Sequence, residues 1–169
     1  GYNRAELYSG KALDFDGVND SVNVPDSDEL DGFTNFTYSV IAKADSTPNY
    51  CRLFDTGNDT IQAAINLDDQ LYLYINSTFI KFDYVLELNK YLHFAIVFTG
   101  GQDLKLYING VLEETKTHSI SSTGTNSTNL AIGANTGLTG NVWDGYMSNA
   151  RLFNTALTAA QVADLYNNP

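Results

Sequence analysis

Polar and apolar residues alternate with a period of two along most of this chain. Over residues 36–43, Phe36, Tyr38, Val40 and Ala42 take one side, and Thr37, Ser39, Ile41 and Lys43 take the other. Successive side chains leave a strand on opposite faces, so this period predicts a β-strand with one face on a core. Similar short runs predict strands over 12–15, 22–24, 53–55, 61–67, 71–75, 79–84, 104–108, 111–117, 130–133 and 143–153. Turn residues separate them: Asp16-Gly17, the stretch 57–59, Asp68-Asp69, Asn76-Ser77, the stretch 100–103 and Asn109-Gly110. Gly reaches positive φ without strain, Asp and Asn bond their own backbone, and Asn-Gly is the strongest short hairpin signal. Short strands at this spacing predict an all-β sandwich or barrel.

Two segments break the rhythm. In 91–99, Leu92, Phe94, Ile96 and Phe98 lie on one face, but His93, Ala95 and Val97 on the other are also mostly apolar. A strand apolar on both faces is expected at the centre of the architecture. The tail changes period. Thr158 with Gln161 three residues later fits a capping box, and Val162, Leu165 and Tyr166 follow at helical spacing. This predicts one short helix over about 159–167. The Ser/Thr/Asn/Gly-rich stretches 119–129 and 135–141 are read as loops. No repeat or second core is visible, so 1–169 is read as one domain.

Five segments in order resemble the laminin-G-like, concanavalin A-like jelly-roll superfamily. The run from Leu13 to Asp20 (LDFDGVND), continued by Val22 to Pro25, resembles the opening motif. Phe36 to Lys43 resembles the second strand. Tyr91 to Phe98, followed by Leu104 to Gly110, is similar to the central hairpin. Gly145 to Leu157 resembles the closing strand, and Leu165-Tyr166-Asn167 resembles the final helix. The resemblance implies two packed antiparallel sheets in a jelly roll, a recognition role that is commonly for glycans, and often a structural calcium near the opening loop. Where the closing strand usually carries an acidic pair after its glycine, this chain has Ser148 and Asn149.

Composition narrows the function classes. Net charge is −11, with no Lys/Arg cluster, which disfavours phosphate backbones and anionic membranes as partners. Charged residues are 17% of the chain, below the usual share of about a quarter, so Asn, Thr, Ser and Gly must supply the polar surface. The single Cys51 can form no disulfide within the chain. No apolar run approaches the roughly 18 residues of a membrane span, and no charged-then-apolar leader precedes Gly1, so the start reads as an excised segment of a longer protein. The five Asn-x-Ser/Thr triplets, at Asn19, Asn35, Asn58, Asn76 and Asn126, overlap turns where Asn is favoured anyway.

Three kinds of chemistry are open to these residues. Asp16 and Asp20 lie four apart in the opening turn, and Asp144 precedes Gly145 in the closing strand. Together with backbone carbonyls they form the candidate calcium site, since calcium takes six to eight oxygens. The alternative is that the aspartates are ordinary turn formers. Tyr72, Tyr74 and Tyr107 alternate away from the Leu/Ile face of their strands, and Trp143 borders a polar loop. Aromatic rings accept the apolar faces of sugars, so these four are the candidate glycan contacts, with Asn135 and Asn141 as amide donors. The alternative is that these rings pack inside the sandwich. Catalysis lacks a carboxylate array: Glu113-Glu114 and Asp68-Asp69 are adjacent and so face opposite ways on a strand. His93 is expected to be buried and hydrogen-bonded, and Cys51 has no evident base. The reading is a non-catalytic carbohydrate-binding module of an extracellular or virion-surface protein. The alternative is a structural or adhesive module contacting protein.

Overall fold

A computed structural model describes residues 12–47, 50–57, 60–137 and 140–169. Asn58 and Asp59, part of one expected turn, lie outside the described residues. Twelve strands form two antiparallel sheets of six. The first sheet orders β1 (Leu13–Asp16), β12 (Asp144–Phe153), β3 (Asn35–Ser46), β8 (Leu92–Thr99), β9 (Asp103–Ile108) and β10 (Val111–Thr117). The second orders β2 (Val22–Val24), β11 (Leu130–Ile132), β4 (Arg52–Asp55), β5 (Ile61–Ile65), β6 (Gln70–Ile75) and β7 (Thr78–Val85). One short helix, α1 (Ala159–Asn167), closes the chain. The architecture is the jelly-roll sandwich that the sequence implied.

The alternation sorts each strand into two faces. Across β3 and β8 the inward pairs are Phe36 with Phe98, Tyr38 with Ile96, Val40 with Phe94 and Ala42 with Leu92. These meet Leu53, Ala63, Leu73 and Ile75 of the second sheet in one core. Stacking of Tyr38 on Phe54, with centroids 4.1 Å apart, bridges the two sheets. Such aromatic pairs add to the area they bury.

The outward face of β8 is apolar because the first sheet has a third layer. Ala95, Val97 and Tyr107 pack beneath Val162 of α1, with Ala156 and Leu157 alongside. β8 sits between β3 and β9 and is covered on both faces, as its sequence required. Helix α1 begins where expected: the Thr158 hydroxyl accepts from the Gln161 amide, and the Gln161 side chain accepts from the Thr158 amide. The approach to the helix is held by Thr37, which is fully buried. Its hydroxyl donates to the Thr155 carbonyl at 2.8 Å and accepts from the Leu157 amide at 2.9 Å. The Asn109-Gly110 turn has positive φ at both residues (52° and 79°), the backbone of the favoured hairpin turn. It lies under α1, and a Cβ at Gly110 would stand 3.0 Å from the Tyr166 ring.

Two boundaries differ from expectation by more than one residue. Strand β3 runs to Ser46, because β12 continues to pair with it through Ala44 and Ser46. Strand β5 ends at Ile65, short of the expected 67. The Asn66 side chain accepts the amides of Asp68 and Gln70, both at 2.9 Å, and turns the chain early, leaving Leu67 exposed.

Candidate functional site

The aromatic face lies on the outside of the second sheet. Pairing sets two rows across β4 to β7. One row holds Arg52, Ala64, Tyr72 and Lys81, and the next holds Asp55, Gln62, Tyr74 and Phe79. The Tyr74–Phe79 neighbourhood follows from a two-residue turn, Asn76-Ser77, with both residues at positive φ. That turn aligns β6 and β7 so that their outward rings stand side by side. Tyr74 and Phe79 have centroids 5.2 Å apart, Tyr72 and Phe79 5.3 Å, and Tyr72 and Tyr74 5.9 Å. Tyr50, entering β4, meets Tyr72 edge-on at 5.8 Å.

These rings wall a cleft of about 540 Å³, with Arg52 and Lys81 beside them and Asn66 and Asn141 supplying amides. The volume lies within the range of small-ligand sites, about 300–1,000 Å³. Burial divides the wall into a fixed floor and an open rim. Tyr72 is 2% exposed, whereas Tyr50 and Phe79 are 45% and 50% exposed and Tyr74 is half-buried. Beneath the floor, buried Arg52 donates to the Tyr72 hydroxyl and pairs through Nε with Asp55 at 3.4 Å. Burial pushes the Asp55 carboxyl up, against the lowering pull of the Gly57 amide and of Arg52. Burial likewise raises the Tyr72 phenol, with Arg52 opposing. Lys81 is held by the Gln70 side-chain oxygen at 3.0 Å. Asn141 reaches the cleft with φ of 54°, and its carbonyl accepts from the Arg52 amide at 2.9 Å. Among the described residues no Asp or Glu side chain lines the cleft.

The structure brings three of the six expected ligand contacts to this place: Tyr72, Tyr74 and Asn141. Tyr107 belongs to the first sheet and is buried under α1, so its ring has no open face. Trp143 is fully buried in the core, with its indole N–H donating to the Lys43 carbonyl at 3.3 Å. Both rings are buried, Trp143 inside the sandwich and Tyr107 between the first sheet and α1. Asn135 shares a loop with Asn141 but does not line the cleft. Arg52, Phe79, Tyr50 and Lys81 were not anticipated. Phe79 was legible, because the Asn76-Ser77 turn sets it opposite Tyr74. Arg52 was not, because its position depends on a register shift between β4 and β5.

The opening turn answers the calcium expectation only in part. Asp16 and Asp144 are register partners across β1 and β12, and a Cβ at Gly17 would stand 2.9 Å from Asp144 Cβ, so the closing strand does reach the turn. The carboxylates, however, are engaged by the protein. Asp16 accepts the Val18 and Asn19 amides at 2.9 and 3.3 Å, Asp20 accepts the Asp16 amide at 2.9 Å, and Asp144 accepts from the Ser46 hydroxyl. Among the described residues no group of three or more His, Cys, Asp or Glu is placed to hold a metal ion. The carboxylates' hydrogen bonds build the turn, and a carboxylate with one oxygen so engaged keeps lone pairs that a cation can use.

The remaining reactive groups are structural. His93 is buried on the outer face of the first sheet, its Nε2 sharing a hydrogen bond of 2.9 Å with the Ser39 hydroxyl. Burial, with Arg151 adding to it, lowers its pKa to about 4. Burial pushes the Cys51 thiol up to about 12, which removes the thiolate at neutral pH.

Two six-stranded antiparallel sheets packed as a jelly roll define a concanavalin A-like fold. The chain belongs to the concanavalin A-like lectin/glucanases superfamily, whose Laminin_G_3 family matches residues 16–163. Among solved structures it is similar to a candidate carbohydrate-binding protein from Bacteroides ovatus (TM-score 0.76, 18% identity), over 90% of this chain and 46% of that one. Domain 4 of AbnA, a GH43 extracellular arabinanase from Geobacillus stearothermophilus solved with arabinotriose, matches with a TM-score of 0.73 and 20% identity over 94% and 77% of the two chains. The binding domain of Paraclostridial Mosquitocidal Protein 1 matches with a TM-score of 0.73 and 17% identity, over 95% of this chain and 44% of that one. This chain thus spans just under half of the Bacteroides and mosquitocidal chains. No curated protein sequence matches it.

Proposed function

We propose that this chain is a non-catalytic recognition module that binds carbohydrate in the cleft walled by Tyr72, Tyr74 and Phe79. The observation that carries the reading is the half-exposed Phe79 ring beside Tyr74, on a floor fixed by the Arg52–Tyr72 hydrogen bond. An exposed ring offers an apolar face to sugar C–H groups, while Lys81, Asn66 and Asn141 supply polar partners for hydroxyls. A glycosidase needs two carboxylates flanking the bond, and the described residues of the cleft wall supply none. The Bacteroides protein, named for binding carbohydrate, accords with this reading, as does arabinotriose in the arabinanase domain. The setting proposed is the outside of a cell or virion, where polysaccharide is met, as part of a larger protein. No helix among the described residues is long and apolar enough to cross a membrane.

A glycan array probed with the isolated chain, with calcium and with chelator, tests the reading. Retention on at least one glycan class is expected. Silence from folded protein favours instead a structural or adhesive module that contacts protein or other subunits of a surface assembly. Calcium at the Asp16–Asp20–Asp144 turn is a separate proposal, supported by the adjacency of β1 and β12 and by the lone pairs that the engaged carboxylates keep. It requires Tm to rise with calcium and to fall back with chelator; an unchanged Tm contradicts it.

A further inference from the structure

A second cleft, of about 580 Å³, opens on the other side of the same lip. It lies where β7, the edge of the second sheet, approaches β10, the edge of the first. The approach is tied by Lys116 to Asp83 at 2.9 Å and by the Asp83 amide to Glu114 at 2.8 Å. Phe79 and Lys81 line both clefts. They alternate outward on β7, while Ile80 and Phe82 between and beyond them enter the core. The two hollows therefore flank one exposed ring and one ammonium group, which form the ridge between them.

From this adjacency, and resting on the glycan reading of the first cleft, we infer that the site takes the length of a linear oligosaccharide, which crosses Phe79 and continues against β10. The second cleft has the character of a further sugar subsite. Thr115 and Thr117 expose hydroxyls to it. Lys116 is fixed by Asp83 and Glu114. His118 stacks on Phe98 with centroids 4.9 Å apart and planes 6° from parallel, and its Nδ1 accepts the Ile120 amide at 3.2 Å. These side chains are held in place before a ligand arrives, which lowers the ordering cost of binding. Lys81, at the junction, is bonded to a neutral amide oxygen, and among the described residues no carboxylate stands within ion-pair distance of it. Its donors can serve a hydroxyl or ring oxygen at the crossing point.

The test is a length ladder read by isothermal titration, using arabino-, xylo- and cello-oligosaccharides from disaccharide to hexasaccharide. The expected result is a gain of about tenfold in affinity between the disaccharide and the hexasaccharide of a bound series, about 1.4 kcal/mol. Thr117→Arg, which fills the second cleft from an exposed position, should remove that gain; Thr115→Arg is the alternate should the first variant fold poorly. Affinity that does not change with length, or a length gain that survives both arginine variants, overturns the inference and leaves the first cleft standing. Binding on a glycan array with none on any ladder also overturns it, because the site would then take a chain end. Silence on both array and ladders removes the glycan reading and this inference with it.

Discussion

The outer faces of the two sheets meet different fates. On the first sheet, Ala95, Val97 and Tyr107 are sealed beneath Val162 of the C-terminal helix, and His93 is buried on the same side next to Tyr166. On the second sheet, Tyr72, Tyr74 and Phe79 stand on strands of the same kind with no helix of the described residues above them, and the rim rings stay half-exposed. A tyrosine alternating away from the core is therefore ambiguous in itself. Its role depends on whether another element covers its face. An uncovered aromatic surface above a buried ion pair costs solvation and rigidity to maintain, so it calls for a binding explanation in a way that the covered face does not.

The largest expected effect breaks the floor of the open face. Arg52→Met leaves Asp55 buried without its cation and Tyr72 without its donor, which should cost about 3–5 kcal/mol in denaturant unfolding. Adding Asp55→Asn should restore most of that loss, because the amide oxygen can still accept from Gly57. A single variant as stable as the parent would show that the floor is not held by this pair.

The covered face should instead respond to pH. The folded pKa of His93 is lowered to about 4 from an ordinary 6.5, so the native state favours the neutral ring. The unfolded chain then binds more protons between those values. This contribution to stability is complete above about pH 6.5 and is lost as pH falls towards 4, by about 3 kcal/mol. Unfolding titrations across that interval should show the loss, and His93→Gln should shrink it. An unchanged pH slope in the variant would contradict the assignment.

A smaller effect tests the helix as a cover. Val162→Ala removes two methyl groups from its buried contact and should cost about 1–2 kcal/mol. Glycan affinity should stay at the parental level, since Val162 lies on the other side of the sandwich. A loss of affinity in a folded variant would mean that the two faces are coupled.

Much of the fold was legible because period-two alternation leaves little choice of face. Most of the strands fall on segments that alternate or are short and apolar, and the Thr158–Gln161 box marks the helix start. The double-sided apolar run in β8 pointed to a central strand, which it is, and the helix covers its outer face. What alternation could not convey is which element covers a face. Tyr107 and Tyr74 therefore looked alike in sequence, and Trp143, beside a polar loop, gave no sign that its ring turns inward. The opening aspartates had the same ambiguity. Their oxygens suit a cation or a turn amide equally, and the structure gives them to the amides of Val18, Asn19 and Asp16.

The central claim is that the uncovered face of the second sheet is a binding surface for sugar. The most direct measurement compares the parent chain with Tyr74→Ala/Phe79→Ala for glycan affinity, with unfolding free energy measured in parallel. The predicted result is loss of affinity by at least about tenfold with stability changed by no more than about 1–2 kcal/mol, since both rings sit at the rim. Equal affinity in a folded double variant, or a parent chain that binds no glycan, would contradict it.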